Sequence, residues 1–92
     1  MMDLQELRGL IDGIDNCLVD LFQQRIDVSA EIARYKRQNN VPIYDPIRER
    51  QKLHDLSGKV EEGRKEYITA LYSLIFELSR IEQERILNSE AV

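Results

Sequence analysis

The sequence predicts an all-α fold of three helices, long, short and long, joined into an intertwined helical homodimer. Three observations lead there. Both prolines, Pro42 and Pro46, fall in one short segment, and residues 1–41 contain none. Ahead of that segment Leu4, Leu7, Ile11, Ile14, Leu18, Leu21, Val28, Ile32 and Tyr35 recur at the alternating three- and four-residue spacing of a helical stripe. Behind it Ile68, Leu71, Ile75 and Leu78, joined by Tyr67, Leu74 and Ile81, repeat the pattern.

The first helix is expected from about Leu4 to about Asn39. Gly9 and Gly13 weaken its start by ~1 kcal/mol each relative to alanine. Asn39-Asn40, followed by Val41-Pro42, supplies the stop. Val41-Pro42-Ile43-Tyr44 is extended because of its proline. Asp45 is a good N-cap and Pro46 suits a first helical position, so a second helix starts there. Ile47, Leu53, Leu56 and Val60 give it an apolar side, and either Gly58 or Gly63 ends it. Residues 59–65 are polar and read as a loop. The third helix is expected from about Lys65 to about Leu87. No internal repeat or low-complexity tract interrupts the pattern.

The length of the first helix carries the dimer. Thirty-six helical residues span ~54 Å, whereas a compact chain of this size is roughly 30 Å across. The apolar stripe covers nearly the whole helix, so its overhanging part needs a second copy to cover it. A small chain buries only ~60% of its unfolded surface, which makes association still more useful.

Composition narrows the function. At 92 residues, positions 1–92 are expected to form a single domain. Hydrophobic residues at 42% against charged residues at 33% suit a soluble globular chain and argue against disorder. No apolar run approaches the ~18 residues of a spanning helix. The start MMDLQELRGL has no basic stretch ahead of a hydrophobic one and is no secretory signal, so the expected address is the cytoplasm. One cysteine makes no internal disulfide, and with one histidine it is too little for a conventional zinc site. A net charge of −4 disfavours nucleic acid, and neither nucleic acid nor membrane is expected as a partner.

Several residues break the apolar pattern. Arg25 stands where the stripe asks for an apolar side chain. A guanidinium there is costly unless paired. It is either a buried salt bridge or snorkelling arginine, or an anion clamp facing an internal pocket. Lys36 lies three turns on and within ~20° of Arg25, so the two bracket one side of the helix. A lysine near a helix end is also ordinary dipole compensation. Arg8 sits ~26 Å from Arg25 and ~100° round the axis. It cannot share a site with Arg25 within one helix, but it reaches a partner's site if two such helices run antiparallel. Asp45, Arg48, Glu49 and Lys52 share one side of the second helix, which also fits a solvated face of i,i+4 pairs. Ser79 and Gln83 are i,i+4 beside the apolar face of the third helix, where a buried amide usually finds a hydrogen bond. His54 reads as surface or packing, and Cys17 as a small helical residue without a redox task.

Taken together, the chain resembles the all-helical chorismate mutase family. The resemblance rests on Leu7-Arg8 with Ile11-Asp12 and Ile14-Asp15, then Gln24-Arg25, then Ile32 with Lys36. It continues through Val41-Pro42-Ile43 and Asp45-Pro46-Ile47-Arg48-Glu49 to Ser79 with Gln83, covering about Leu4 to Leu87. No single piece is specific; the ordered set is. The resemblance implies an intertwined dimer with two equivalent sites, each completed by one arginine from the other chain, Arg8 by position.

It also implies the rearrangement of chorismate to prephenate on the way to phenylalanine and tyrosine, with no cofactor. Arg25 and the partner copy's Arg8 would each hold a substrate carboxylate, for which a guanidinium is a bidentate match. Lys36 and Gln83 would donate to the ether oxygen, and Glu49 would accept from the ring hydroxyl near the helix N-terminus at Asp45. Arg48 and Ser79 would sit at the carboxylate edge. Because a glutamine amide donates at every pH, the rate is expected to be flat across roughly pH 5 to 9. A Gln83→Glu variant should work mainly at acid pH; equal activity at pH 8 would refute the donor role.

Two other readings stand beside it. An isochorismate pyruvate lyase of the same fold would clamp a similar dianion. A non-catalytic helical dimerisation module would explain the long stripe but not Arg25 within it. A chain this size has no room for a separate amino-acid-sensing domain, although a fused or partner enzyme of the pathway could regulate it.

Overall fold

The computed structural model describes residues 1–90, which form three α-helices and no strand. They are α1 (Leu4–Gln38), α2 (Pro46–Ser57) and α3 (Lys65–Glu90), with a 3-10 turn at Glu62–Arg64 leading into α3.

Side chains and turns close the helix ends as the sequence suggests. At the start of α1 the Asp3 carboxylate accepts from the Glu6 N–H at 2.8 Å, satisfying one of the free amides of the first turn. At its end Asn40 takes a left-handed φ of 54°. The Val41 N–H then returns to the Lys36 carbonyl at 2.8 Å and the Asn40 N–H to that of Arg37 at 3.4 Å. This is a Schellman closure with asparagine in the place glycine usually takes. Asp45 caps α2 by accepting from the Arg48 N–H at 3.0 Å, with Pro46 in the first turn.

Of the two glycines that could end α2, Gly58 is the cap, its N–H returning to the His54 carbonyl at 3.1 Å. Gly63 lies in the 3-10 turn, so the expected loop contains a short helical segment of its own. Two other expectations shift. Ile47 is exposed while Leu53 and Leu56 are half-buried; nine residues are two and a half turns, so Ile47 and Leu56 look in opposite directions. α3 continues past Leu87 to Glu90, where Arg34 reaches Glu90 at 2.9 Å and Arg37 reaches it at 3.5 Å.

α3 packs against α1 on one side and α2 on the other, and α1 and α2 stand apart. α1 and α3 run parallel, since Arg25 meets Ser79 and, further along both helices, Arg34 meets Glu90. Ala30 and Ala33 of α1 pack on Ile86 and Leu87 of α3. These small side chains let the two backbones come close, and Ala33 is fully buried.

The molecule measures 58 × 28 × 14 Å with a radius of gyration of 16.8 Å, against about 12 Å for a compact chain of this length. The excess is the first half of α1. Every residue from 1 to 21 is exposed, and the stripe Leu4, Leu7, Ile11, Ile14, Leu18 and Leu21 is 45–60% exposed. The overshoot expected from helix length is present. α3 carries a second uncovered stripe, Tyr67, Leu71, Leu74 and Ile81, on the side away from its buried Phe76, Ser79, Gln83 and Ile86. Among the described residues no helix is long and apolar enough to cross a membrane.

Candidate active site

Where α1 and α2 diverge across α3 they leave a cavity of about 360 Å³. Arg25, Ser29, Ile32 and Lys36 line it from α1, and Phe76, Ser79, Arg80 and Gln83 from α3. Ile43 comes from the linker, while Asp45, Arg48, Glu49 and Lys52 come from the start of α2. Seven of the eight residues to which the resemblance gives a role, all but Arg8, therefore meet in one place. Arg8 lies on the exposed half of α1, outside this chain's cavity.

Arg25 has no carboxylate partner among the described residues. Its Nη1 donates to the Ser79 hydroxyl, and its Cζ lies 5.9 Å from the centroid of the Phe76 ring. A neutral acceptor and an aromatic face hold the guanidinium in place without cancelling its charge. Of the two readings left open for Arg25, the buried salt bridge is thus absent among the described residues, and a positioned, unneutralised cation faces the cavity. Lys36 sits in the last turn of α1, where its charge complements the helix end, and it does more than that. Its Nζ donates to the Ile43 carbonyl at 2.7 Å, which ties the linker back to α1 and leaves the other ammonium protons free.

Gln83 is 7% exposed, and its Oε1 is buried with no hydrogen-bond partner among the described residues. Buried polar atoms are seldom left so. That oxygen can only accept; the donor of the same amide is Nε2, and the side chain shares the wall of the cavity with Arg25 and Lys36.

The acidic groups of the wall are both engaged. The Asp45 carboxylate caps α2. Glu49 does not join an i,i+4 ladder along α2; its Oε2 accepts from Arg80 across on α3. The polar face of α2 is thus turned to the cavity rather than laced to itself.

Arg80 is the functional candidate that sequence reasoning missed. Besides Glu49 it meets the Tyr44 ring, with Cζ 5.0 Å from the centroid. Its pKa is raised, first by the hydrogen bond to Glu49, which outweighs the opposing effect of burial. The available signal was its place between Ser79 and Gln83 on α3; its partner Glu49, 31 residues away, was not readable. His54 and Cys17 stay outside the cavity, both exposed.

The wall thus carries the cations Arg25, Lys36, Arg48, Lys52 and Arg80, while both of its carboxylates already accept hydrogen bonds. In a chain of net charge −4 this is a concentrated positive field. It suits a small dianion held from three sides.

Known proteins match along most of the chain. The pattern of the family described as chorismate mutase type II fits residues 7–84. The chain is 39% identical over 88 residues to the bifunctional chorismate mutase/prephenate dehydratase of Buchnera aphidicola subsp. Schizaphis graminum, a match taking in 94% of this chain and 23% of that protein. It is 31% identical over 86 residues to the 4-amino-4-deoxychorismate mutase of Streptomyces venezuelae, covering 87% of this chain and 81% of that one. Among solved structures, the chorismate mutase of Helicobacter pylori in complex with prephenate superposes with a TM-score of 0.84 at 37% identity, covering 92% and 93% of the two chains. The chain spans about a quarter of the length of the bifunctional relatives it matches.

Proposed function

The chain belongs to the chorismate mutase type II family, and from that premise we propose that it rearranges chorismate to prephenate. The reaction is intramolecular: an ether C–O bond breaks as a C–C bond forms, and no atom enters or leaves. The protein has two tasks. It holds a flexible dianion in a compact, chair-like conformer, which is a proximity effect. It also stabilises the negative charge that builds on the ether oxygen as that bond stretches.

What supports this most directly is the gathering of Arg25, Lys36, Ser79 and Gln83 around one cavity, with the Arg25 guanidinium paired to no carboxylate among the described residues. In the proposed complex Arg25 takes one carboxylate, already oriented by Ser79 and Phe76. Lys36 and the Gln83 amide donate to the ether oxygen. Glu49 accepts from the ring hydroxyl beside the α2 N-terminus at Asp45, and Arg48 adds positive charge at the carboxylate edge.

A second copy completes the site. The uncovered stripes of α1 and α3 call for an apolar partner surface, and a second copy bearing the same stripes supplies it. In that homodimer Arg8 of each copy takes the second carboxylate in the other's cavity. Residues 1–92 act as one domain in the cytoplasm, free-standing or beside a fused or partner enzyme of the pathway, as in the bifunctional relatives.

The test is direct. Purified protein is mixed with chorismate, loss of its ultraviolet absorbance is followed, and the product is identified by acid conversion to phenylpyruvate. Arg25→Ala should keep its helical circular dichroism and lose activity by about 100-fold or more. No turnover by folded protein would overturn the proposal and move the assay to isochorismate, the lyase substrate. Full activity in Arg25→Ala would overturn the clamp.

A further inference from the structure

The proposed reaction leaves Arg80 without a task, although it is a cation of the wall and paired to a carboxylate. Two separate segments fix it: Glu49 of α2 through Oε2, and the ring of Tyr44 in the linker, 5.0 Å from its Cζ. The arrangement does something specific to Glu49. One carboxylate oxygen is taken by the guanidinium, and the other, Oε1, makes no hydrogen bond among the described residues. The carboxylate is thereby held in one position with its charge compensated and one acceptor left free.

A charge-compensated acceptor discriminates between donors. A neutral hydroxyl loses only part of its charge-assisted hydrogen bond by it, because its hydrogen bond still finds a lone pair. A cationic donor gains little, because the guanidinium beside Glu49 repels it as the carboxylate attracts it. Arg48 and Lys52 on the same wall push in the same direction. A bare Glu49 would favour the cation instead.

We propose that Arg80, by pairing with Glu49, is a specificity-determining residue that tunes the cavity to a ring hydroxyl and against a ring ammonium. This rests on the proposed role of Glu49 as acceptor for the ring hydroxyl of chorismate. The discrimination matters within this family. The Streptomyces venezuelae relative is named for 4-amino-4-deoxychorismate, the same skeleton with an amine in place of that hydroxyl. An aliphatic amine is protonated at neutral pH.

The test measures kcat/KM for both compounds in the wild type and in three variants. The wild type should prefer chorismate. Arg80→Leu should move the preference by about tenfold or more toward the amine. Arg80→Lys, which keeps the charge, should hold close to the wild-type ratio. Glu49→Gln, which leaves Arg80 in place and removes the negative charge, should move the ratio the opposite way. A loss shared equally by both compounds in Arg80→Leu would reduce Arg80 to a structural support and overturn the inference. If Arg80→Leu fails to fold, the ratio in Arg80→Gln, which removes the charge and keeps a polar side chain, decides, and an unchanged ratio there overturns it too. Failure of the underlying reading looks different: wild-type protein would then turn over no chorismate at all.

Discussion

The two halves of α1 belong to one uninterrupted helix and live in different surroundings. From Arg25 to Gln38 one side of the helix is covered by α3: Ser29, Ala30 and Ala33 are buried, and Arg25, Ile32 and Lys36 line the cavity. From Leu4 to Leu21 it has no cover within the chain. The residues differ accordingly. The covered half meets α3 through small side chains, which permit close approach. The uncovered half presents Leu and Ile, which have much to gain from burial, about 1.5–3 kcal/mol for each side chain fully covered. A single chain thus packs only one half of its longest helix, and the proposed second copy answers for the other.

The sharpest way to break that contrast is Ile14→Glu, a carboxylate in the middle of the uncovered stripe. On a face that stays in water such a change costs within about 0.5 kcal/mol. Under a second copy it should abolish the dimer and, with Arg8 withdrawn from the neighbouring site, lower turnover by at least about 100-fold. Sedimentation and the chorismate assay together read both effects; an unchanged species with unchanged activity would leave the stripe uncovered.

The covered half is probed by Ala33→Leu. Ala33 is fully buried between α1 and α3, so three added carbons should cost about 1–3 kcal/mol. That is a fall of several degrees in Tm, with the dimer retained. A neutral result would mean that this contact is looser than its burial implies.

The smallest effect is expected at the far end of the same contact, in Glu90→Gln. Arg34 holds the Glu90 carboxyl below the usual carboxylate range, chiefly through its hydrogen bond. A depressed folded-state pKa contributes stability that is present above the unfolded value and is lost as pH falls through the folded one. The variant should therefore melt slightly below the wild type at pH 7, and the gap should close in acid, below roughly pH 4. The pair is exposed, so salt should shrink the gap as well. A gap independent of pH would assign the effect to something other than this pair.

Much of this was readable because the informative residues contradicted their surroundings. Arg25 interrupts an apolar stripe, and Ser79 and Gln83 stand beside another; all three reach the cavity. Helix boundaries were readable where local chemistry sets them, at the Asp45-Pro46 start and the Asn39-Asn40 stop. They were not readable where it does not. Gly58 ends α2 with an ordinary φ of −70°, so nothing in its own conformation marks it out from Gly63. The last turn of α3 is met by arginines of α1 more than fifty positions earlier. Arg80 escaped notice for the same reason: an arginine on a helix flank looks like surface until Glu49 and Tyr44 are brought to it by the fold.

The turn at Asn40 has a consequence for how the sequence can drift. Its left-handed backbone directs the linker so that the Ile43 carbonyl comes back to the Lys36 ammonium. The aim of a charge inside the cavity is thereby written into a turn that does not line it. Glycine, asparagine and aspartate accept that backbone readily, and β-branched residues do not. Position 40 should therefore vary over descent almost as narrowly as the residues that line the cavity, for a reason of backbone geometry alone.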